Sequence, residues 1–162
     1  MRNPVWGDKR ERVIVPHAGL MDESALGPEA GSLQRARLHI RGGRRRLRQG
    51  KISAGIVTLY DAVDAALAWY FASPERRRRL LIKEGDNLKD DKVLFKILTR
   101  SGVLDDTFDY LAFDELIDKM VFSDFADFDY EEVLKGIESV MIQLGVMPFE
   151  ENELPREDPS TF

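Results

Sequence analysis

From Leu33 onward the apolar positions follow a helical rhythm. Leu33, Ala36, Ile40, Gly43, Leu47, Gly50 and Ala54 recur at alternating intervals of three and four residues, the period of a helix face buried in an interhelical seam. Glycine inside a helix costs about 1 kcal/mol relative to alanine, but in a seam it lets a neighbouring backbone approach closely. Turn chemistry at 49–51 predicts the end of this helix. A second helix, over 52–72, carries Ile56, Leu59, Tyr60, Val63, Ala66, Leu67, Tyr70 and Phe71 on one wide face. That pattern marks it as the central core helix.

Three further stretches are bounded by start and stop signals. In "SPERRRRLLIKEG", Ser73 suits the cap, Pro74 the first helical position and Gly85 the stop, which predicts a short third helix. In "DDKVLFKILTRSG" Asp90 and Gly102 play the same parts for a fourth, and "DDTFDYLAFDELIDKMVF" predicts a fifth from Asp106 to about Val121. The sixth has Asp129 as cap, Glu132 three residues on, an apolar face of Val133, Ile137, Val140, Met141 and Leu144, then Gly145 and Pro148. No internal repeat is present. The expectation is an all-α fold, an antiparallel bundle of five to six helices with an extended N-terminal arm.

The flanks lack this period. Residues 1–31 contain Pro4, Pro16 and Pro28 and one apolar spot, Val13 to Val15, suited to docking or to pairing as a short strand. They read as an arm, residues 32–147 as the bundle domain, and 148–162, with Pro148, Pro155, Pro159 and several acids, as a poorly structured acidic tail. The 162 residues suit one domain. With no cysteine, disulfides and thiolate chemistry are excluded, and the expected compartment is the cytoplasm. The first twenty residues hold no apolar run of signal-peptide length. The apolar stretch around Ala62 to Ala72 is interrupted by Asp64 and too short to span a bilayer, so no membrane partner is expected.

Charge changes the picture, because it is split along the chain. Residues 1–83 balance at +9 and residues 84–162 at −14, within a total of −5. Such a split fits either a nucleic-acid face beside acidic helices or two halves that neutralise each other. The acids are interspersed with apolar residues, which favours neutralisation. The basic half is concentrated in "RGGRRRLRQGK", 41–51, and Arg37, Arg41, Arg44 and Arg48 make one stripe beside the seam, while Arg35, His39 and Arg46 point elsewhere. Four guanidinium groups in a row suit phosphates and carboxylates equally. The single "RGG" is a weak match to RNA-binding repeats. Arg76 to Arg79 circle their helix and read as mostly solvated.

Catalytic signals are sparse. There is no phosphate-cradling glycine loop and no nucleophile elbow. The two histidines, His17 and His39, have no second ligand at helical spacing, so neither metal nor cofactor is expected. Asp61 and Asp64, three apart at the margin of the core helix, are either general acid/base or metal-binding carboxylates, or partners of arginines on the preceding helix; burial favours the pairing. Asp114 and Asp118 read as a solvated or partner-facing edge. In "FSDFADFDYEE", Phe122, Phe125, Phe128 and Tyr130 alternate with acids, which fits a loop pinned to the core or an adhesive segment for a partner protein.

"LRQGKISAGIVTLYDAVDAALAWYF" resembles the helical-pair signature of HEPN-type domains, including those that accompany minimal nucleotidyltransferases, over about residues 33–72. The carriers are Gly55, Ile56, Tyr60, Ala62, Ala65, Ala66 and Tyr70 after a small turn. Ribonuclease members of that family carry an arginine followed five residues later by histidine on a later helix. The formal match here, Arg12 with His17, lies in the arm before the bundle. The resemblance therefore implies a non-catalytic member that binds a nucleotide, RNA or a protein partner. The expectation is a non-catalytic helical domain working by protein association, as a homodimer or a partner subunit, with nucleotide or RNA binding through the arginine stripe as the alternative.

Overall fold

A computed structural model describes residues 26–161, apart from Asp124. Val13 to Val15, Arg12 and His17 lie outside the described residues. Among those described, the chain is all-α, with six helices and no strand: α1 (Pro28–Arg48), α2 (Ile52–Ala72), α3 (Pro74–Arg77), α4 (Asp91–Arg100), α5 (Tyr110–Phe122) and α6 (Glu131–Leu144). Two short 3-10 turns, Glu151–Glu153 and Pro159–Thr161, follow.

Helices α1 and α2 form the antiparallel pair the seam predicts, turning at 49–51 with Gly50 at φ 77°. At their crossing two glycines face each other. A Cβ on Gly43 would lie 3.2 Å from the Gly55 carbonyl oxygen, and one on Gly55 would lie 3.1 Å from that of Gly43. Leu47 and Leu59 fill the space on either side. Helix α2 is central: it touches α1, α3, α4, α5 and α6. Its Ile56, Leu59, Val63 and Leu67 are buried with Ile97 and Leu98 of α4, Phe113 and Ile117 of α5, and Ile137, Val140 and Met141 of α6. Each such side chain contributes about 1.5–3 kcal/mol relative to an exposed one. By length and composition α2 is also apolar enough to cross a membrane, but most of it is buried within the bundle.

Local signals place most helix ends. Ser73 accepts from the Arg76 amide and Asp90 from the Lys92 amide, while Gly102 and Gly145 take positive φ after α4 and α6. Four boundaries differ from the sequence expectation. Helix α1 reaches back into the presumed arm, because Pro28 at its first turn needs no amide partner and Gly31 and Ser32 are buried. The third helix is a single turn, since its arginines offer no apolar face to bury. Helix α5 is capped by Asp109, not Asp106; Asp109 accepts from the Ala112 amide, while Asp105 and Thr107 make a separate turn. Tyr130 occupies the α6 cap position without a side-chain bond, and Asp129 instead accepts from the Glu131 amide.

The C-terminal segment is the larger correction. Residues 146–157 are not loose; they fold back over α1, with Val146 and Glu157 buried and Phe149 and Leu154 half-buried.

Candidate functional site

Three of the four stripe arginines meet beneath that returning segment. Arg37 donates from Nε to the Val146 carbonyl (3.1 Å), and its guanidinium lies 5.4 Å over the Phe149 ring. Arg41 donates to the Pro155 carbonyl (2.6 Å) and the Glu151 carbonyl (3.3 Å) and sits 3.5 Å from Glu157. Arg44 bridges Glu138 of α6 (3.2 Å) and Glu151 (3.4 Å). Arg48, in the last turn of α1, is exposed and takes no part. Arg45, which the stripe omitted, joins the cluster through Glu157, whose carboxylate is held between Arg45 and Arg41 with its side chain only 1 % exposed. An i, i+4 step from Arg41 is the signal that would have found Arg45.

The opposite edge of α1 also packs inward. Arg46 donates to the Thr58 hydroxyl of α2 (2.6 Å), and His39 is buried with Nδ1 2.9 Å from the Arg35 carbonyl and Nε2 3.9 Å from Asp61. Burial holds the His39 imidazole below its usual range, against the opposing pull of the Arg35 carbonyl and Asp61. The same burial raises Asp61, offset in part by His39 and Arg35.

Asp61 and Asp64 thus go to different neighbourhoods. Asp61 faces α1, where the expected arginine pairing becomes principally a histidine contact. Asp64, exposed, finds no arginine of α1; it lies beside Asp91 at the start of α4. Around that contact a shallow cleft of about 360 Å³ gathers Tyr60, Asp64, Lys92, Tyr110 and Asp114. Tyr60 donates to Asp114 (3.2 Å) and Tyr110 to Tyr60 (3.4 Å), while Lys92 pairs with Asp114 (3.4 Å). Asp114 is therefore drawn into a network, whereas Asp118 is exposed, as expected of a solvated or partner-facing edge. Among the described residues no group of three or more His, Asp or Glu side chains is arranged to hold a metal ion.

Burial, then the hydrogen bond and charge of Asp64, push the Asp91 carboxyl up to about 7. A carboxyl raised in the folded state binds its proton more tightly there than in the unfolded chain, so it contributes stability below about pH 4 that is lost as pH rises through 7. Asp91→Asn should flatten this part of the pH profile and gain stability relative to the parent at about pH 8. Urea midpoints measured across pH would show it; parallel profiles for parent and variant would mean that Asp91 titrates normally.

Elsewhere the basic run divides. Arg77, Arg78 and Arg79 are exposed, but Arg76 stacks 4.0 Å from the centre of the Trp69 ring and pairs with Glu29 at 2.9 Å. The aromatic segment divides too. Ser53 of α2 donates to the Ser123 carbonyl (3.0 Å) and accepts from the Phe125 amide (3.2 Å), so Phe125, Phe128 and Tyr130 pin the loop to the core. Phe122 is left 88 % exposed beside Val121 at 60 %.

No family model, curated protein or solved structure matches the chain.

Proposed function

We propose that this chain is a non-catalytic helical domain that acts by associating with a protein partner. The supporting observation is that Phe122 and Val121, adjacent large apolar side chains, are left in solvent at the end of α5 while Arg37, Arg41 and Arg44 of the basic stripe are occupied by the chain's own carboxylates and carbonyls. Contiguous exposed apolar surface is costly to a monomer and is the usual mark of an interaction face. The nucleotide- or RNA-binding alternative, to which the HEPN-type resemblance also points, needs a row of guanidinium groups open to phosphate; Arg37, Arg41, Arg44 and Arg45 are covered, which leaves Arg48 alone of the stripe exposed. An association face at α5 rather than on the α1–α2 pair also fits the burial of that pair's seam.

The test is light scattering over a wide concentration range, on the chain alone and mixed with its binding partner once captured by cross-linking. Phe122→Ser should abolish the interaction and leave thermal stability within about 0.5 kcal/mol, as expected of an exposed site. A Phe122→Ser protein that associates as strongly as the parent would sink this reading.

A further inference from the structure

Between α5 and the start of α6 runs a groove of about 550 Å³, floored by Phe108, Phe113, Leu116, Phe128 and Val133. Its depth has a local cause. Gly136 carries no side chain, and the Phe108 ring lies where a Cβ would be, 2.7 Å from that position. The groove follows one face of α5, through Ala112, Glu115, Leu116 and Lys119, and that spacing continues to Phe122 at its end.

The rim carries the decisive chemistry. Asp109, Glu115 and Glu132 line it against a single cation, Lys119. None of these three acids forms an ion pair with a described residue: the Asp109 carboxylate caps α5, and the acids that do pair are elsewhere. Exposed Asp118 of α5, Asp127 and Asp129 of the connecting loop and Glu131 of α6 extend the negative field. An apolar floor of helical length between acidic walls is complementary to a helix with an apolar stripe and basic flanks. A second copy of this chain is a poor occupant. A two-fold interface centred on the groove would bring one acidic rim to the other, and like charges across an interface oppose association.

Resting on the association reading above, we propose that the α5–α6 groove receives a basic amphipathic helix of a partner protein. Its apolar anchors at i, i+3 or i+4 and i+7 enter over Phe108, Leu116 and Val133, and its lysines or arginines meet Asp109, Glu115 and Glu132.

The probe is a synthetic helix of about 18 residues with leucines at that spacing and lysine flanks, beside its glutamate-flanked analogue, titrated against the full chain by fluorescence anisotropy. The lysine helix should bind, more weakly as salt rises, and the glutamate helix should not. Glu115→Lys with Glu132→Lys should weaken the lysine helix about tenfold or more. Both substitutions are at exposed positions, and circular dichroism would verify that the variant folds. Equal binding of the two helices, or full binding by the double variant, overturns the proposal. So does a concentration-dependent dimer of the parent that the double variant loses, because the occupant would then be a second copy. A partner interaction lost in Phe122→Ser but retained in the double variant would leave association standing and remove the groove alone.

Discussion

Gly43→Leu is expected to unfold the domain. The α1–α2 crossing has no space for a side chain at this position, since even a Cβ would lie 2.7 Å from Leu59 Cγ, 2.8 Å from its Cδ2 and 3.2 Å from the Gly55 carbonyl oxygen. A carbonyl in a helix cannot move without displacing the helix, and Leu59 is itself fully buried in the core. Alanine separates the opposing effects. It gains about 1 kcal/mol of helix propensity, and it costs about 1–3 kcal/mol in overpacking. Gly43→Ala should therefore lower unfolding free energy by up to about 2 kcal/mol. Leucine adds three carbons beyond a Cβ that is already too close to α2, so its cost approaches the roughly 5–15 kcal/mol total typical of a domain. Urea denaturation of the alanine variant and far-ultraviolet dichroism of the leucine variant measure both. A stabilised Gly43→Ala would mean that propensity wins and the crossing is looser than described.

Glu157→Ala should produce the second largest loss. Its carboxylate sits between Arg41 and Arg45, whose side chains are 15 % and 13 % exposed. Removing one member of a buried charge cluster costs about 3–5 kcal/mol where the remaining charges cannot reach water. Here they can, by releasing the segment after Val146, so the loss is capped by the free energy with which that segment docks. This cap has a consequence. Truncation after Phe149 should destabilise the domain by about as much as Glu157→Ala, and adding the substitution Arg41→Ala to the truncation should change little, because the pair is coupled. Hydrogen exchange would report the opening of the segment while α2 stays protected. RNA titration at two salt concentrations gives a second readout: the parent should show no salt-dependent binding, and Glu157→Ala should acquire it as Arg41 and Arg45 are uncovered. If Glu157→Ala is neutral in stability, the buried cluster does not hold the segment down.

The basic stripe is answered by carboxylates of the acidic second half, one of the two sources the sequence offered, and not by Asp61 and Asp64. Asp61 and Asp64 lie on the helix that follows the stripe and packs against it, yet Asp61 turns to His39 and Asp64 to Asp91. The carboxylates that reach the arginines, Glu138, Glu151 and Glu157, come from the end of the chain. The aromatic segment was similarly half legible. Its alternation predicted rings against the core, and three of the four comply, but nothing local distinguishes Phe122, the one left in solvent.

What the sequence determined by itself is the helical order. An apolar period, a capping side chain or a glycine after the last turn acts within about four residues, and such short-range terms are readable wherever they occur. The glycine seam belongs to the same class: Gly43 lies in the period that predicts it faces a neighbour. Tertiary structure alone decided which charges meet, which acids share a cleft and where an apolar groove opens. Arg41 and Pro155 are 114 residues apart, and no local term connects them. Charge attraction is nearly indifferent to which carboxylate answers which arginine, so the choice falls to the path of the returning chain and to the packing of Val146 against the core.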